Sequence, residues 1–464
     1  MAIGSLPGNF IYRLQEHFLH RPTFSYLREL ERSQWLSREE MEQLQLRKLQ
    51  VLLGIASQHC PWHAKRIQAA GLDLTRPLAL QDFRKLPVMD KADASANQEE
   101  LVWHQAPGGA FRYNTGGSSG KPLVFYYGRQ RQASDAAGRM RARRWWGVEP
   151  GDREVYLWGA PVELNKTDRI KTLRDRLINQ LVLNAFNMST VQMDDYVHAI
   201  QSWQPRCIYG YASSLALLAA HAKERNMRFK LPRLRVVCTT GEPLFPHQRE
   251  LIQSVFGVPA ANEFGSRDIG FTAHETPHGQ MLLMSESIFL EVLDPQGLPV
   301  RHGETGEAVL SGLCSEAQPF IRYRTGDMVR MSEDACKDDR GLHVISEVAG
   351  RSTDFLVKSD GTIMHALAGI YVLRSVEGVA EFKLIQRELR HLEVLVVPDR
   401  NWREDALHKI ERGLKERMGE DVNIRIQLVD NIAAEASGKH RYVVSHVRLA
   451  GGLDIAGSAS REAQ

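Results

Sequence analysis

A chain of 464 residues with 43% hydrophobic and 25% charged residues can bury a large core in more than one domain, and its balance is that of a soluble globular protein. A formal net charge of +3 excludes the global basic signature of a nucleic-acid or anionic-membrane binder. No run of about 18 apolar residues occurs, so no membrane span is expected, and no basic region followed by an apolar run opens the chain, so no signal peptide is read.

In chain order, Ser37-Arg38-Glu39-Glu40 is a capping box, in which the Ser37 hydroxyl caps a helix and Glu40 reaches back. Met41, Leu44, Leu49, Leu52, Leu53 and Ala56 follow at helical spacing and predict an amphipathic helix. Pro61 lies just past its end. Arg84–Asp90 ends in a cap before another helix. Tyr113–Tyr127 reads Y-N-T-G-G-S-S-G-K-P-L-V-F-Y-Y. Its glycines let backbone approach a ligand closely, its consecutive N–H groups can form an anion-binding concavity, and Leu123–Tyr127 has strand composition. The stretch is not a Walker A loop, which needs a glycine where Thr115 stands and opens a helix. Nor is it a nucleophile elbow, because a strand rather than a helix follows. A solvent-exposed hairpin loop is the rival reading.

The basic segment from Arg129 to Arg144, closed by Trp145-Trp146-Gly147, reads as a helix with a solvated basic face and Gly147 at its C-terminal end. Strands and helices then alternate: strand Val155–Pro161, helix Leu215–Ala222, strand Leu234–Thr239 and a helix from Pro246. This pattern predicts α/β layers with ligands beyond the strand ends. Thr240-Gly241-Glu242-Pro243 and Asn262-Glu263-Phe264-Gly265-Ser266-Arg267-Asp268 sit where the chain turns after a strand, the place where loops carry chemistry. Tyr209–Ser214 and Gly241–Phe245 are the segments expected around an acid substrate.

His274-Glu275-Thr276-Pro277-His278 matches H-E-x-x-H, but that zinc signature needs a continuous helix and Pro277 breaks one. Surface-loop histidines are expected. Ile321–Asp327, I-R-Y-R-T-G-D, puts Asp327 after a glycine turn, where it could accept from a ribose diol or be a plain turn aspartate. Gly350–Asp354 marks a boundary. Beyond it a smaller α/β unit is expected, with strands Phe355–Lys358, Leu392–Val397 and Asn423–Leu428 and helices Ala366–Val376 and Trp402–Met418. Lys439 stands at the tip of a turn. The tail from Ala450 is small and polar and is read as disordered. No internal repeat is found. Five cysteines without a C-x-x-C pair point to reduced thiols and a cytoplasmic location.

The ordered series T-G-G-S-S-G-K-P, T-T-G-E-P-L, F-G-S-R-D, Y-R-T-G-D, G-R-x-x-D and G-K resembles the acyl-adenylate-forming superfamily. It is most similar to the phenylacetate–CoA ligase family, in the CapK-like branch associated with capsule and other polysaccharide biosynthesis. The resemblance implies an adenylation domain over residues 1–349, a small mobile domain over 350–449 and a tail over 450–464. It also implies ATP, Mg²⁺ and CoA. Thr115, Gly116, Gly117, Ser118, Ser119, Gly120 and Lys121 would wrap the β- and γ-phosphates. Gly241, Glu242 and Pro243 would line the adenine, with Asn262 at its amino group and Phe264 and Gly265 in the next motif. Asp268 would hold Mg²⁺, Asp327 would bind the ribose hydroxyls and Arg351 would lie close to the nucleotide. Lys439 would bridge carboxylate and α-phosphate until the small domain swings it away.

Relatives carry Ser or Thr where Arg267 stands and Glu where Asp268 stands. Their hinge acid falls at Thr353, with Asp354 beside it. Thr276 replaces a cysteine that in some relatives lies near zinc, so no zinc is expected. Three activities stay open at this point: acid activation with transfer to CoA or an amine, adenylyl transfer to a coenzyme without acylation, and a degenerate non-catalytic binding protein. The acid, the acceptor and the oligomeric state, homodimer included, stay open too.

Overall fold

The structure, a computed structural model, describes residues 6–114, 123–159, 174–185, 188–242, 244–294, 296–301, 303–349, 355–360, 363–432 and 443–447. The glycine loop 115–122, Pro243, Gly350–Asp354, Lys439 and the tail lie outside the described residues.

Strands β1 (Phe111–Asn114) and β2 (Val124–Tyr127) form an antiparallel hairpin in which Asn114 faces Val124, so the glycine loop is the segment that joins them. The main sheet holds β3 (Glu154–Trp158), β4 (Gln180–Asn184), β5 (Cys207–Tyr211), β6 (Val236–Thr240), β7 (Ala260–Ser266), β8 (Gly270–Glu275), β9 (Met281–Leu283), β10 (Ile288–Leu293), β11 (Thr305–Gly312), β12 (Tyr323–Met331) and β13 (Val344–Ala349). Their spatial order is β10-β11-β12-β13-β9-β8-β7-β6-β5-β3-β4. The β4-β3-β5-β6-β7 half is parallel, and from β7 to β10 the pairing is antiparallel.

Every residue of β5 and β6 is buried, as parallel strands covered on both faces require. Helices Thr190–Trp203, Ala212–Glu224 and Pro246–Phe256 flank this half, and Leu215, Leu218, Ile252 and Phe256 share one core with Ile208 and Val237. The capping box is present: the Glu40 N–H donates to Ser37 Oγ at 3.1 Å and the Ser37 N–H to Glu40 Oε2 at 2.7 Å. The resulting helix, Arg38–His59, buries Leu49, Leu52, Leu53 and Ala56 against Phe83 and Leu86. Pro61 opens the next helix, where its missing N–H costs nothing. Asp90 caps a short helix reciprocally with Asp93.

Two expectations are corrected. The helix Arg129–Trp145 exists and ends before Gly147 at φ +73°, but its basic face is not solvated. Arg131, Arg141 and Arg143 are buried, and Arg141, 0% exposed, holds Glu286 through both guanidinium nitrogens. Buried charge persists only when paired, and Glu286, between β9 and β10, and Glu154 of β3 are brought to Arg141 and Arg143 by the fold, which the local sequence does not reveal. Second, His274 is not a loop residue. It is buried in β8 with Nδ1 donating to the Glu275 carbonyl at 2.8 Å. His278 lies beyond the strand, 2.7 Å from Asp338, so the two histidines share no helix face.

The expected C-terminal elements are found as β14 (Phe355–Val357), helix Ala366–Ser375, β17 (His391–Pro398), helix Asp405–Met418 and β18 (Asn423–Leu428). Three further strands were not foreseen: β15 (Ile363–His365), β16 (Val379–Glu388) and β19 (Val443–Ser445). A separate sheet runs β18-β17-β16-β19. It has its own core, in which Leu373, Leu384, Val394, Ile410 and Leu414 pack together. No helix among the described residues is long and apolar enough to cross a membrane. All five cysteines are buried and free, and burial pushes the Cys60 thiol up to about 12.

Candidate active site

A cavity of about 1000 Å³ opens beyond the last residues of the parallel strands β5 and β6, Tyr211 and Thr240, the position where open α/β sheets take ligands. The chain leaves β6 through Gly241 at φ +77°, where a Cβ would also press on the Tyr211 ring at 3.3 Å. Glu242 ties this turn back to the start of the helix Ala212–Glu224, which follows β5, by accepting from the Ser213 N–H at 3.0 Å. One strand over, the Asn262 N–H donates to Glu275 at 2.8 Å. Phe264 sits in the core beneath the cavity. Gly265 admits no side chain, since a Cβ would meet the Gly270 carbonyl at 2.7 Å.

Arg131 holds the following turn from below by donating to the carbonyls of Arg267 and Asp268. Both of those side chains face the cavity. The Asp268 carboxylate accepts from the Ile269 N–H at 3.2 Å and from the Tyr323 hydroxyl at 2.9 Å. Tyr323 begins β12, whose position is fixed by the buried Arg322 bidentate to Glu291 at 2.8 and 3.1 Å. Four residues on, after Gly326 at φ +75°, the Asp327 N–H donates to Thr325 Oγ1 at 3.2 Å and Asp327 lines the same cavity. Mg²⁺ usually takes one or two carboxylates and completes its shell with water and phosphate. Asp268, with one oxygen oriented by Tyr323, fits that donor set.

The cavity continues inward between the helix Arg129–Trp145 and strands β3 and β5. There Arg143 lies 2.6 Å from Glu154 and donates to the Tyr156 hydroxyl at 3.0 Å. Glu263 accepts from the Tyr209 hydroxyl at 2.8 Å and from Thr240 at 3.0 Å, with Arg139 3.7 Å away. Burial raises the Tyr209 phenol far above its ordinary value, helped by the Glu263 charge and opposed by Arg139. Burial likewise raises Glu154, against the pull of Arg143.

Residues 356–446 match the family model of the CapK C-terminal domain. Protein CapK of Staphylococcus aureus is 21% identical over 377 residues, which cover 80% of this chain and 82% of that protein. Phenylacetate-coenzyme A ligase of Escherichia coli (strain K12) is 26% identical over 336 residues, 69% of this chain and 73% of that one. This chain is a homologue of CapK and of the phenylacetate–CoA ligases. A crystal structure of 2-hydroxyisobutyryl-CoA ligase with R3-HIB-AMP superposes with a TM-score of 0.59 at 21% identity, covering 89% of this chain and 91% of that one. The CapK relative therefore has the α/β fold of the adenylate-forming CoA ligases.

In this CapK homologue the structure brings Gly241, Glu242, Asn262, Phe264, Gly265, Arg267, Asp268 and Asp327 to one cavity. Thr115, Gly116, Gly117, Ser118, Ser119, Gly120, Lys121, Pro243, Arg351 and Lys439 lie outside the described residues. Of the segments expected around the acid, Tyr209, Tyr211, Gly241 and Glu242 line the cavity. Arg139, Arg143, Glu154, Tyr156 and Trp158 were not foreseen. Their only signal was composition: aromatic residues alternating along V-Y-L-W and I-Y-G-Y, and arginines at 139 and 143, one helical turn apart.

Proposed function

We propose that this chain is an ATP-dependent, AMP-forming ligase that activates a carboxylic acid as its acyl-adenylate and passes the acyl group to an acceptor, CoA being the first candidate. One observation carries the reading. Three segments distant in sequence, Gly241–Glu242 after β6, Asn262–Asp268 along and just past β7, and Thr325–Asp327 of β12, line a single cavity of about 1000 Å³. The motif order of the glycine loop, Arg351 and Lys439 supports it.

In this reading Gly241, Glu242 and Pro243 border the adenine and Asn262 meets its amino group. Asp327 accepts from the ribose hydroxyls, and Arg351 lies near the nucleotide. The backbone N–H groups and hydroxyls of Thr115–Gly120, with Lys121, receive the β- and γ-phosphates. Mg²⁺ held by Asp268 supplies charge neutralisation at the phosphates. Arg267 reaches a phosphate with a planar fork suited to two oxygens.

The reaction brings one anion against another. A carboxylate oxygen attacks the α-phosphorus, the new O–P bond forms and the bond to pyrophosphate breaks. Lys439 neutralises the charge that accumulates in that transition state. Residues 350–449, acting as a small mobile domain beside 1–349, then withdraw Lys439 and open a path for the acceptor. A role in polysaccharide biosynthesis follows the branch that the motif series resembles, and five unpaired cysteines favour a cytoplasmic setting.

The test is exchange of labelled pyrophosphate into ATP across aromatic, fatty and hydroxy acids. The reading requires exchange that depends on an acid. ATP binding without exchange for any acid would instead point to a nucleotide-binding protein. Pyrophosphate release without acid would point to adenylyl transfer.

A further inference from the structure

Asp327 of β12 lines the cavity toward one end of the strand order, and Glu154 of β3 and Gln180 of β4 line it at the other. On the carboxylate-ligase reading above, on which this inference rests, the nucleotide spans β12 to β6 and the acid is left with the side formed by β5, β3 and β4. One lining residue on that side belongs to no strand of the sheet. Tyr12 reaches the cavity from the N-terminal helix Leu6–Phe18, in the company of Met140, Val148 and Pro150.

Gly8, Tyr12 and Glu16 recur every four residues and therefore share one face of that helix. Each of the three is fixed to the body of the protein. At Gly8 a Cβ would meet the Gly151 carbonyl at 2.8 Å, so the first turn of the helix lies directly on the loop that leads into β3. Glu16 is buried and accepts from the Thr23 hydroxyl and, at 3.4 Å, from Arg21. Between them the Tyr12 ring packs edge-on against Phe24, with centroids 5.9 Å apart, and both rings rest on the core that Ala137 and Met140 share with Leu27 and Leu30. Burial raises the Tyr12 phenol above its ordinary value, helped by the charges of Glu16 and Glu154 and opposed by Arg143 and Arg139. Phe10, Leu14 and Phe18 lie on the opposite face and are exposed. A ring held one turn before and one turn after by packed or hydrogen-bonded groups is a fixed wall.

We propose that Tyr12 is the end wall of the acid pocket and sets the greatest length of acid that the cavity accepts. The helix Leu6–Phe18 thereby contributes to substrate choice, although none of the motifs for nucleotide or metal lies on it.

The experiment is calorimetric binding to the full chain of straight-chain carboxylic acids of increasing length, which serve as a ruler. In the wild type, affinity should rise by about 4-fold for each methylene buried and then fall once the acid meets the ring. Tyr12→Phe keeps the ring and should keep that limit. Tyr12→Ala should move the limit to longer acids, and Tyr12→Trp should move it to shorter ones. The Trp variant keeps the test decisive where circular dichroism shows that the Ala variant has not folded. A limit that stays in place in the Ala and Trp variants, a limit that moves in Tyr12→Phe, affinity without any upper limit on length, or no binding at any length would each overturn the proposal. The outcome is separable from the ligase reading. A limit that follows the Tyr12 substitutions without pyrophosphate exchange would remove adenylation and keep the wall, and exchange with a limit indifferent to them would do the reverse.

Discussion

The Tyr323 hydroxyl donates to Asp268 Oδ2 at 2.9 Å, joining the turn that follows β7 to the first residue of β12. Two sequence motifs separated by 55 residues thereby share one hydrogen bond on the cavity wall. Because Arg322 anchors β12 to Glu291 beneath it, Asp268 is oriented from a fixed point.

Tyr323→Phe should therefore act through the metal requirement rather than through the fold. Loss of one hydrogen bond to a charged group should raise the Mg²⁺ concentration needed for half-maximal exchange by roughly 10-fold. A magnesium titration of the exchange rate checks it, and an unchanged midpoint would detach Tyr323 from the metal site.

Asp327→Ala should weaken ATP binding by roughly 1.5–3 kcal/mol through lost charge-assisted hydrogen bonds to the ribose. Calorimetry with ATP and with 2′,3′-dideoxy-ATP separates the cause. The variant should no longer distinguish the two nucleotides, and unaltered affinity would remove Asp327 from the site.

The Arg141–Glu286 pair lies in the interior, and Ser33 donates to Glu286 at 2.8 Å as well. Glu286→Ala leaves Arg141 charged and unpaired and should cost about 3–5 kcal/mol of stability. Urea unfolding measures it. Arg141→Met combined with Glu286→Met should recover most of that loss, because the buried charge is gone from both sides.

His63 sets a pH dependence. Burial, reinforced by the Arg66 charge, lowers it from its ordinary 6.5 to about 3. The neutral ring donates from Nε2 to the Pro319 carbonyl at 2.8 Å and accepts from Arg66 at Nδ1 at 2.9 Å. The unfolded chain therefore binds the proton more readily than the folded one between pH 6.5 and about 3. This contribution to stability is complete above pH 6.5 and declines as pH falls through that window. His63→Gln should lose less stability on acidification across it, measured by urea midpoints at stepped pH.

Local signals reported local structure well. Ser37 and Glu40 announced a helix start that the hydrogen bonds reproduce, and Gly241 marked a turn with positive φ, whereas Gly326, also at positive φ, lies within strand β12 where its register on β11 shifts. What stayed hidden was pairing across the chain. Arg141 looks like one more solvated arginine until Glu286, 145 residues away, arrives beside it. Arg143 was misread for the same reason, since Glu154 reaches it only through the sheet. His274 was misread because its burial comes from the helix Arg129–Trp145 laid on the face of β8, whose Trp145 ring lies 6.4 Å from the imidazole, a property of topology. Strand β16, V-A-E-F-K-L-I-Q-R-E, buries Phe382, Leu384 and Gln386 in alternation. Its charged residues face outward and dilute the apolar run by which strands are recognised.

Acid activation is tested most directly by oxygen transfer. With an exchanging acid whose carboxylate carries oxygen-18, the attacking oxygen becomes the bridge to the α-phosphorus and stays with the nucleotide once the acyl group departs. The account predicts that, in the presence of acceptor, the AMP formed carries a single heavy oxygen derived from the acid. AMP free of label, formed at the same rate, would mean that the acid never bonds to phosphorus and would contradict it.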